Sequence, residues 1–174
     1  MWDQLKTATR PSARLMACGL AAVILGACAP GPKTATAPSG SVRVLAAETF
    51  LADIAQNVAG DRLVVASLLA PGIDPHEFQA KPQDAIRIAE SNVLIVNGLG
   101  YEAWLAKTLD AGAGKHLTIV ASDGLASAAD ADPHRWMNPR DVVRYVENIR
   151  DGLTKADPDG TSAYAAKSSR RCSP

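Results

Sequence analysis

Strand-like and helix-like segments alternate along this chain from residue 42 onward, and this alternation restricts the fold more than any other feature. Short apolar runs typical of buried strands occur at 42–47 (VRVLAA), 62–70 (RLVVASLLA), 92–98 (NVLIVNG) and 117–120 (LTIV). Segments with apolar residues at helical spacing occupy 48–60, 81–91 and 101–112, and another begins at residue 138. Because strands joined through helices pair in parallel, the sequence predicts an α/β fold. We expect a roughly four-stranded parallel sheet flanked by helices on both faces.

The first 27 residues have the pattern of an export signal. Basic residues come first, an apolar run (LMACGLAAVILGA) follows, and small residues precede Cys28. The run is shorter than the roughly 20 residues of a membrane-spanning helix, so residues 1–27 are predicted to be a cleaved signal peptide. The stretch LGAC at 25–28 resembles the lipobox of bacterial lipoproteins, which predicts a lipid on Cys28. An ordinary secretory signal with an incidental cysteine is the alternative.

Residues 28–41 connect this signal to the strand and helix pattern. They are rich in Pro, Ala, Ser, Thr and Gly and contain nothing large to bury. This composition predicts a flexible tether between a lipidated Cys28 and a folded domain that begins at residue 42. We therefore expect an extracytoplasmic protein of the cell envelope, attached to a membrane through its lipid.

The charge balance excludes nucleic acid as a partner. The formal net charge is zero for the whole chain and about −2 without residues 1–27, and no long run of one sign occurs. The chain also contains no P-loop and no glycine-rich dinucleotide fingerprint, since NGLG at 97–100 lacks the required spacing.

One sequence motif, which we call the repeated phrase, occurs twice in the chain. DPHEFQAKPQD (74–84) and DPHRWMNPRDV (132–142) both read Asp-Pro-His, any residue, an aromatic residue, and then Pro-x-Asp. His76 follows the second predicted strand, His134 follows the fourth, and each precedes a helix. Ligands of open parallel sheets bind beyond the carboxyl ends of the strands, so both imidazoles are expected at one edge of the sheet. Because neutral imidazole is the commonest metal ligand in proteins, we predict that this pair binds a metal.

The other residues of the repeated phrase have predicted supporting roles. The proline restricts the loop backbone, the aspartate bonds backbone groups of the turn, and the aromatic residue anchors the loop by packing. These residues are Asp74, Pro75 and Phe78 in the first copy and Asp132, Pro133 and Trp136 in the second. A single copy would be explained as a solvated turn, but two copies with matched followers argue against chance.

Three further residues are interpreted as structural. His116 is expected at the surface where a strand begins, and Trp104, at helical spacing from Tyr101, is expected to pack. Asp123 is assigned to a turn or a helix cap.

The two copies, together with NGLGYEAWL (97–105), resemble the metal-binding lipoproteins of bacterial zinc and manganese ABC importers, the cluster A-I solute-binding family. The motifs occur in the family's order, and the similarity covers roughly residues 42–167. The resemblance implies that His76 and His134 are the two metal ligands of the N-terminal lobe. It also implies that Zn²⁺ or Mn²⁺ is bound as transported cargo, that a permease in the cytoplasmic membrane receives it, and that the protein is not an enzyme.

The chain departs from this family in its length. Family members are about twice as long as the folded part, and their second lobe supplies the remaining ligands. We therefore expect an N-terminal metal-binding lobe at 42–155 and a missing second lobe. Residues 156–174 should form the start of the interlobe helix and an aberrant tail, because the final SSRRCSP does not continue the helical pattern. Our hypothesis is that a frameshift or an early stop codon has truncated the chain.

Neither the metal nor the function follows uniquely from the sequence. Many zinc-specific relatives carry a histidine-rich loop before the second histidine, and its absence at 121–131 weakens the assignment to zinc. A metal-dependent hydrolase would use Glu77 as its base, although the chain has no HExxH motif and no nucleophile elbow. A surface adhesin lipoprotein and a non-functional fragment are two further hypotheses that the sequence allows.

Overall fold

The computed structural model describes residues 42–110, 114–125 and 132–169. The predicted signal peptide, the lipidation site Cys28, the tether up to residue 41 and the tail residues 170–174 lie outside the described residues. Expectations about them therefore stay predictions. Across the described ranges, no helix combines the length and the apolar character needed to cross a membrane.

The predicted parallel sheet of four strands is confirmed. Neighbouring strands all run in parallel, in the spatial order β2-β1-β3-β4. The strands are β1 (Val44–Ala46), β2 (Val65–Ser67), β3 (Val93–Val96) and β4 (Leu117–Val120). Their carboxyl ends consequently meet at one edge of the sheet, which we call the carboxyl edge.

Helices cover both faces of this sheet, as predicted. They are α1 (Thr49–Ala59), α2 (Pro82–Glu90), α3 (Ala103–Asp110), α4 (Pro139–Ala156) and α5 (Thr161–Ser169). Short 3-10 helices precede α4 and α5, at Arg135–Met137 and Pro158–Gly160. Helices α1, α4 and α5 share one apolar core, and α2 and α3 share the other. Successive residues of a strand point to opposite faces of the sheet. In β3, Val93 and Ile95 therefore pack in the core with α1, α4 and α5, and Leu94 and Val96 pack in the core with α2 and α3.

Helix α4 begins within the second copy of the phrase, at Pro139. The side chain of Asn138 accepts a hydrogen bond from the backbone N–H of Arg140 (3.1 Å), and Pro139 takes the first helical position. Both features match the prediction from sequence. Gly152 lets α4 approach β4 closely, because a β-carbon at this position would collide with the side chain of Ile119. The helix and the loop that leads into it are thereby held close to the sheet.

Helix α3 begins at Ala103, two residues later than the predicted start at residue 101. The backbone of Gly98, Leu99 and Gly100 has positive φ angles of 87°, 56° and 76°, which form a turn instead of a helix. A β-carbon at position 98 would also lie only 2.5 Å from Cγ1 of Val120, so this position requires glycine. Tyr101 and Glu102 are therefore held in the turn at the carboxyl edge.

The packed structure continues past residue 155, the end of the lobe predicted from sequence. Helix α4 ends at Ala156, and α5 packs against α1 and α4 with Tyr164 fully buried in their core. Ser168 and Ser169, assigned from sequence to the aberrant tail, belong to α5, and Ser168 Oγ donates to the carbonyl of Tyr164 (2.7 Å). The described residues up to 169 thus pack as part of the lobe.

Candidate metal centre

The two histidines of the repeated phrase lie side by side at the carboxyl edge. His76 is in the loop between β2 and α2, and His134 is in the loop between β4 and α4. Their ring centroids are 5.6 Å apart, and the ring planes are inclined at 54°. The expectation that the fold brings these two imidazoles together is confirmed, whereas their role as metal ligands stays a prediction.

The two copies form the same local turn. The backbone N–H of His76 donates to Oδ1 of Asp74 (2.8 Å), and that of His134 donates to Oδ1 of Asp132 (3.0 Å). Each aspartate thus bonds the backbone two residues ahead, as predicted, and the proline between them restricts the turn further. The repeated sequence therefore folds into the same aspartate turn twice, and each turn is followed by a histidine at the carboxyl edge.

The side chains of the two histidines are held differently. Nδ1 of His134 lies 2.8 Å from Oδ1 of Asp132, whereas no hydrogen bond reaches the His76 ring from any described residue. Because a carboxylate only accepts, Nδ1 of His134 is the donor, and in the neutral ring Nε2 then keeps the lone pair that a metal needs. The backbone N–H of His134 and then its ring lower the pKa of Asp132, which favours the charged carboxylate.

Tyr101 contacts both histidines, a role that was not predicted from the sequence. The tyrosine ring meets His76 edge-on at a centroid distance of 5.0 Å and His134 at 5.6 Å. Its side chain is buried, and burial is the main cause of its raised pKa. The sequence signal for this position of Tyr101 is the motif NGLGYEAWL. Its residues 98–100 have positive φ angles and turn the chain so that Tyr101 lies at the carboxyl edge.

The aromatic residues of the two copies pack as predicted but in different places. Trp136 stacks on Phe50 at 4.1 Å and also contacts His134 at 5.2 Å. Phe78 instead meets Trp104 edge-on at 4.8 Å, against the core of α2 and α3. Trp104 is thus a packing residue, as expected. The second copy places its aromatic side chain against its own histidine.

Two buried carboxyl groups lie below the turn that carries Tyr101. Glu102 accepts hydrogen bonds from the backbone N–H groups of Asn97 and Gly98, the latter at 3.1 Å. Glu48 is only 3% exposed and lies next to the carboxyl group of Glu102. Burial and then the charge of Glu102 raise the pKa of Glu48 to about 9. Burial raises the pKa of Glu102 as well, while the backbone N–H groups of Asn97 and Gly98 lower it. We therefore assign the proton of this pair to Glu48.

The remaining candidates from sequence do not join the histidine pair. In the described ranges, no group of three or more His, Cys, Asp or Glu side chains is arranged to hold a metal. His116 is half-buried just before β4, at the opposite edge of the sheet. The backbone N–H of Asp123 donates to the carbonyl of Val120 in a turn, and its carbonyl accepts from the side chain of Asn148. Glu77 is exposed. His76 and His134 therefore remain the candidate metal-binding pair, with one imidazole each.

Comparison with known proteins finds relatives that are named for metal uptake and metal binding. The family model for the zinc-uptake complex component A, periplasmic, matches residues 44–170. The manganese-binding lipoprotein MntA of Halalkalibacterium halodurans is 34% identical over 149 residues, which are 76% of this chain and 46% of that protein. The chain spans about half the length of the curated relatives it matches.

Solved structures show the same fold. The Mn-bound periplasmic metal binding protein of Candidatus Liberibacter asiaticus matches with a TM-score of 0.66 and 31% identity, over 75% of this chain and 51% of that one. Zn(II)-bound AdcA of Streptococcus pneumoniae matches with a TM-score of 0.67 and 25% identity, over 75% of this chain and 30% of that one.

Proposed function

Because the chain belongs to the family of the periplasmic zinc-uptake complex component A, we propose that it captures zinc or manganese outside the cytoplasm for an ABC importer. Its relatives are named as metal-binding and metal-transport lipoproteins, which supports this role. The observation that carries the proposal is the pair of histidines at the carboxyl edge, 5.6 Å apart between ring centroids. In this proposal the metal is cargo and undergoes no reaction.

We assign the two metal-binding positions of this chain to His76 and His134. Zinc–nitrogen bonds are about 2.0–2.1 Å long, so two imidazoles on one tetrahedral ion place their ring centroids on the order of 5 Å apart. The spacing of the pair is close to this value. The hydrogen bond from His134 to Asp132 supports the assignment, since a metal-binding histidine usually donates its other ring N–H to a carboxylate, a backbone carbonyl or water.

Two imidazoles supply half of a tetrahedral donor set. The other positions would be taken by water or by donors from outside the described residues. Manganese prefers more ligands and mainly oxygens, so the two histidines alone favour zinc, while the relatives include manganese-binding proteins. We therefore keep both metals in the proposal.

The proposed partner is the permease of a metal ABC importer, and the proposed location is the cell envelope. A lipid on Cys28 would attach the chain to a membrane, which agrees with the lipoprotein names of the relatives. Mass spectrometry of the protein from membranes tests this part: we expect a lipidated Cys28 at the new N-terminus. An unmodified cysteine or a cleavage at another position would refute it.

Metal titration of the purified full chain by calorimetry tests the metal site. We expect His76→Ala and His134→Ala each to lower Zn²⁺ affinity by more than about 100-fold, because loss of an outer-shell partner alone costs 10–100-fold. His116→Ala is the matched control and should bind as the unsubstituted chain does, since His116 lies at the opposite edge of the sheet.

Two results would refute the metal site. One is a folded chain, verified by circular dichroism, that binds neither Zn²⁺ nor Mn²⁺. The other is a loss of affinity in His116→Ala as large as in His76→Ala, which would place the donors elsewhere.

A further inference from the structure

We propose that Asn97 is a positioning residue that fixes the peptide bearing His134, so that only one of the two histidines is rigidly placed. This inference deepens the proposed function, on which its consequence for metal binding rests. Asn97 directly follows β3, at the carboxyl edge, and it is completely buried. It is far from both histidines in sequence and does not belong to either copy of the repeated phrase.

The side-chain amide of Asn97 joins the His134 loop to the rest of the lobe. Its Nδ2 donates to the carbonyl of Pro133 at 2.9 Å and to that of Gly98 at 3.1 Å. Its Oδ1 accepts from the hydroxyl of Tyr145 on α4 at 2.5 Å. Because both carbonyls can only accept, the amide has a single orientation that satisfies all three bonds.

The backbone of Asn97 is equally engaged. Its N–H donates to Glu102, and its carbonyl accepts from Oγ and N–H of Ser122, at 2.5 and 3.2 Å. Every polar group of this buried residue thus has a partner. Fully satisfied buried networks of this kind are rigid and specify one arrangement.

The bond to Pro133 fixes the peptide unit that leads into His134. The carbonyl of this unit accepts from Asn97, and its N–H, which belongs to His134, donates to Asp132. Both polar atoms of the peptide are therefore held, so that its plane has little freedom to rotate. The corresponding unit before His76 is held only through its N–H, by Asp74, among the contacts of the described residues.

Asn97→Asp tests this role with a side chain of nearly the same shape. The carboxylate would lose both donated bonds and place negative charge against the carbonyl oxygens of Pro133 and Gly98. Ser122→Ala is the matched control, because it removes a bond to the backbone of Asn97 and leaves the bond to Pro133. NMR of the metal-free full chain, observing the imidazole nitrogens and the backbone amides of both histidines, reports the change directly.

We expect Asn97→Asp to shift and broaden the signals of His134 and to leave those of His76 in place. Zn²⁺ affinity should fall about tenfold, which corresponds to the roughly 1–2 kcal/mol cost of losing such a buried hydrogen bond. Ser122→Ala should change neither quantity appreciably. Equal shifts at both histidines, or unchanged His134 signals in a folded variant, would overturn the proposal.

Tyr145→Phe keeps the inference testable if Asn97→Asp does not fold. This change removes only the hydroxyl that holds Oδ1 of Asn97, and it should shift the His134 signals selectively but less strongly. Unchanged His134 signals in this variant would overturn the proposal as well. Failure of the proposed function is a separate result, in which the unsubstituted chain binds no metal while the NMR response to Asn97→Asp is still confined to His134.

Discussion

The loops that carry His76 and His134 share a sequence and a local turn, yet the surrounding protein holds them to different degrees. In the His134 loop, the ring is bonded to Asp132 and the preceding carbonyl is bonded to Asn97. In the His76 loop, the backbone turn is present, but the ring makes no hydrogen bond to a described residue and its ring contacts are with Tyr101 and His134. The motif therefore determines the turn, while contacts distant in sequence determine how rigidly the histidine is placed.

Under the proposed function, this difference gives the two histidines different roles in metal binding. A preorganised donor loses little freedom when the metal binds, and a donor with fewer restraints can adjust to ions of different size. His134 fits the first description and His76 the second. The predictions that follow compare the loops, beginning with the largest expected effect.

Removing the aspartate from each turn should affect the loops unequally. Asp74→Ala and Asp132→Ala both delete the bond to the backbone N–H, but only Asp132→Ala also releases the imidazole. We expect Asp132→Ala to lower Zn²⁺ affinity by about 10–100-fold, as outer-shell partners do, and Asp74→Ala to lower it by less. Calorimetric titration of the two variants in parallel gives the comparison.

The two aspartate variants control for each other, because both lose the same turn. Equal losses of affinity would show that the ring bond of His134 contributes nothing, and the proposed difference between the loops would then be wrong.

Glu48→Gln should stabilise the fold increasingly as the pH rises. An unfolded Glu48 ionises at its ordinary pKa of 4.5, while the folded one stays protonated up to about pH 9. Folding therefore takes up a proton between these values, and the free energy of unfolding falls as the pH rises through this window. Glutamine cannot ionise and therefore removes this loss, so the stability advantage of the variant should grow from pH 5 to pH 8. Urea unfolding at pH 5 and pH 8 measures it.

Glu102→Gln is the contrasting variant for this buried pair. Glu102 accepts from two backbone N–H groups of the turn that anchors the His134 loop, so an amide at this position should destabilise the protein. A Glu48→Gln variant that is less stable than the unsubstituted chain at pH 8 would contradict our assignment of the proton to Glu48.

The helix caps next to the loops provide the smallest expected effect. Asn138 caps α4 through its side chain, whereas Lys81, at the same place before α2, makes no side-chain cap of this kind. Asn138→Ala should lower the free energy of unfolding by about 1 kcal/mol. Lys81→Ala should change it by less than about 0.5 kcal/mol. Thermal unfolding compares them, and a larger loss in Lys81→Ala would contradict the cap assignment.

Local patterns in the sequence predicted much of this structure. The alternation of segments predicted the parallel sheet, and the repeated phrase predicted both aspartate turns and the meeting of His76 with His134. These features depend on residues a few positions apart, or on the rule that parallel strands share an edge.

Features that depend on distant contacts were not predicted. Asn97 looks in sequence like an ordinary turn residue at a strand end, and only the fold brings Pro133 and Tyr145 to its amide. Tyr101 looked like part of a helix, because its turn depends on a positive φ at Leu99, which is unusual for a residue with a side chain. The matching sequences of the two loops therefore did not predict that His134 is held by more hydrogen bonds than His76.

The most direct test of the shared metal site is a zinc titration of the full chain, followed by NMR at its three histidines. We predict that the imidazole signals of His76 and His134 change together and reach their end point at the same ratio of zinc to protein, while those of His116 stay unchanged. Signals of His76 and His134 that respond at different ratios, or that do not respond in a folded chain, would contradict a single site shared by the two loops.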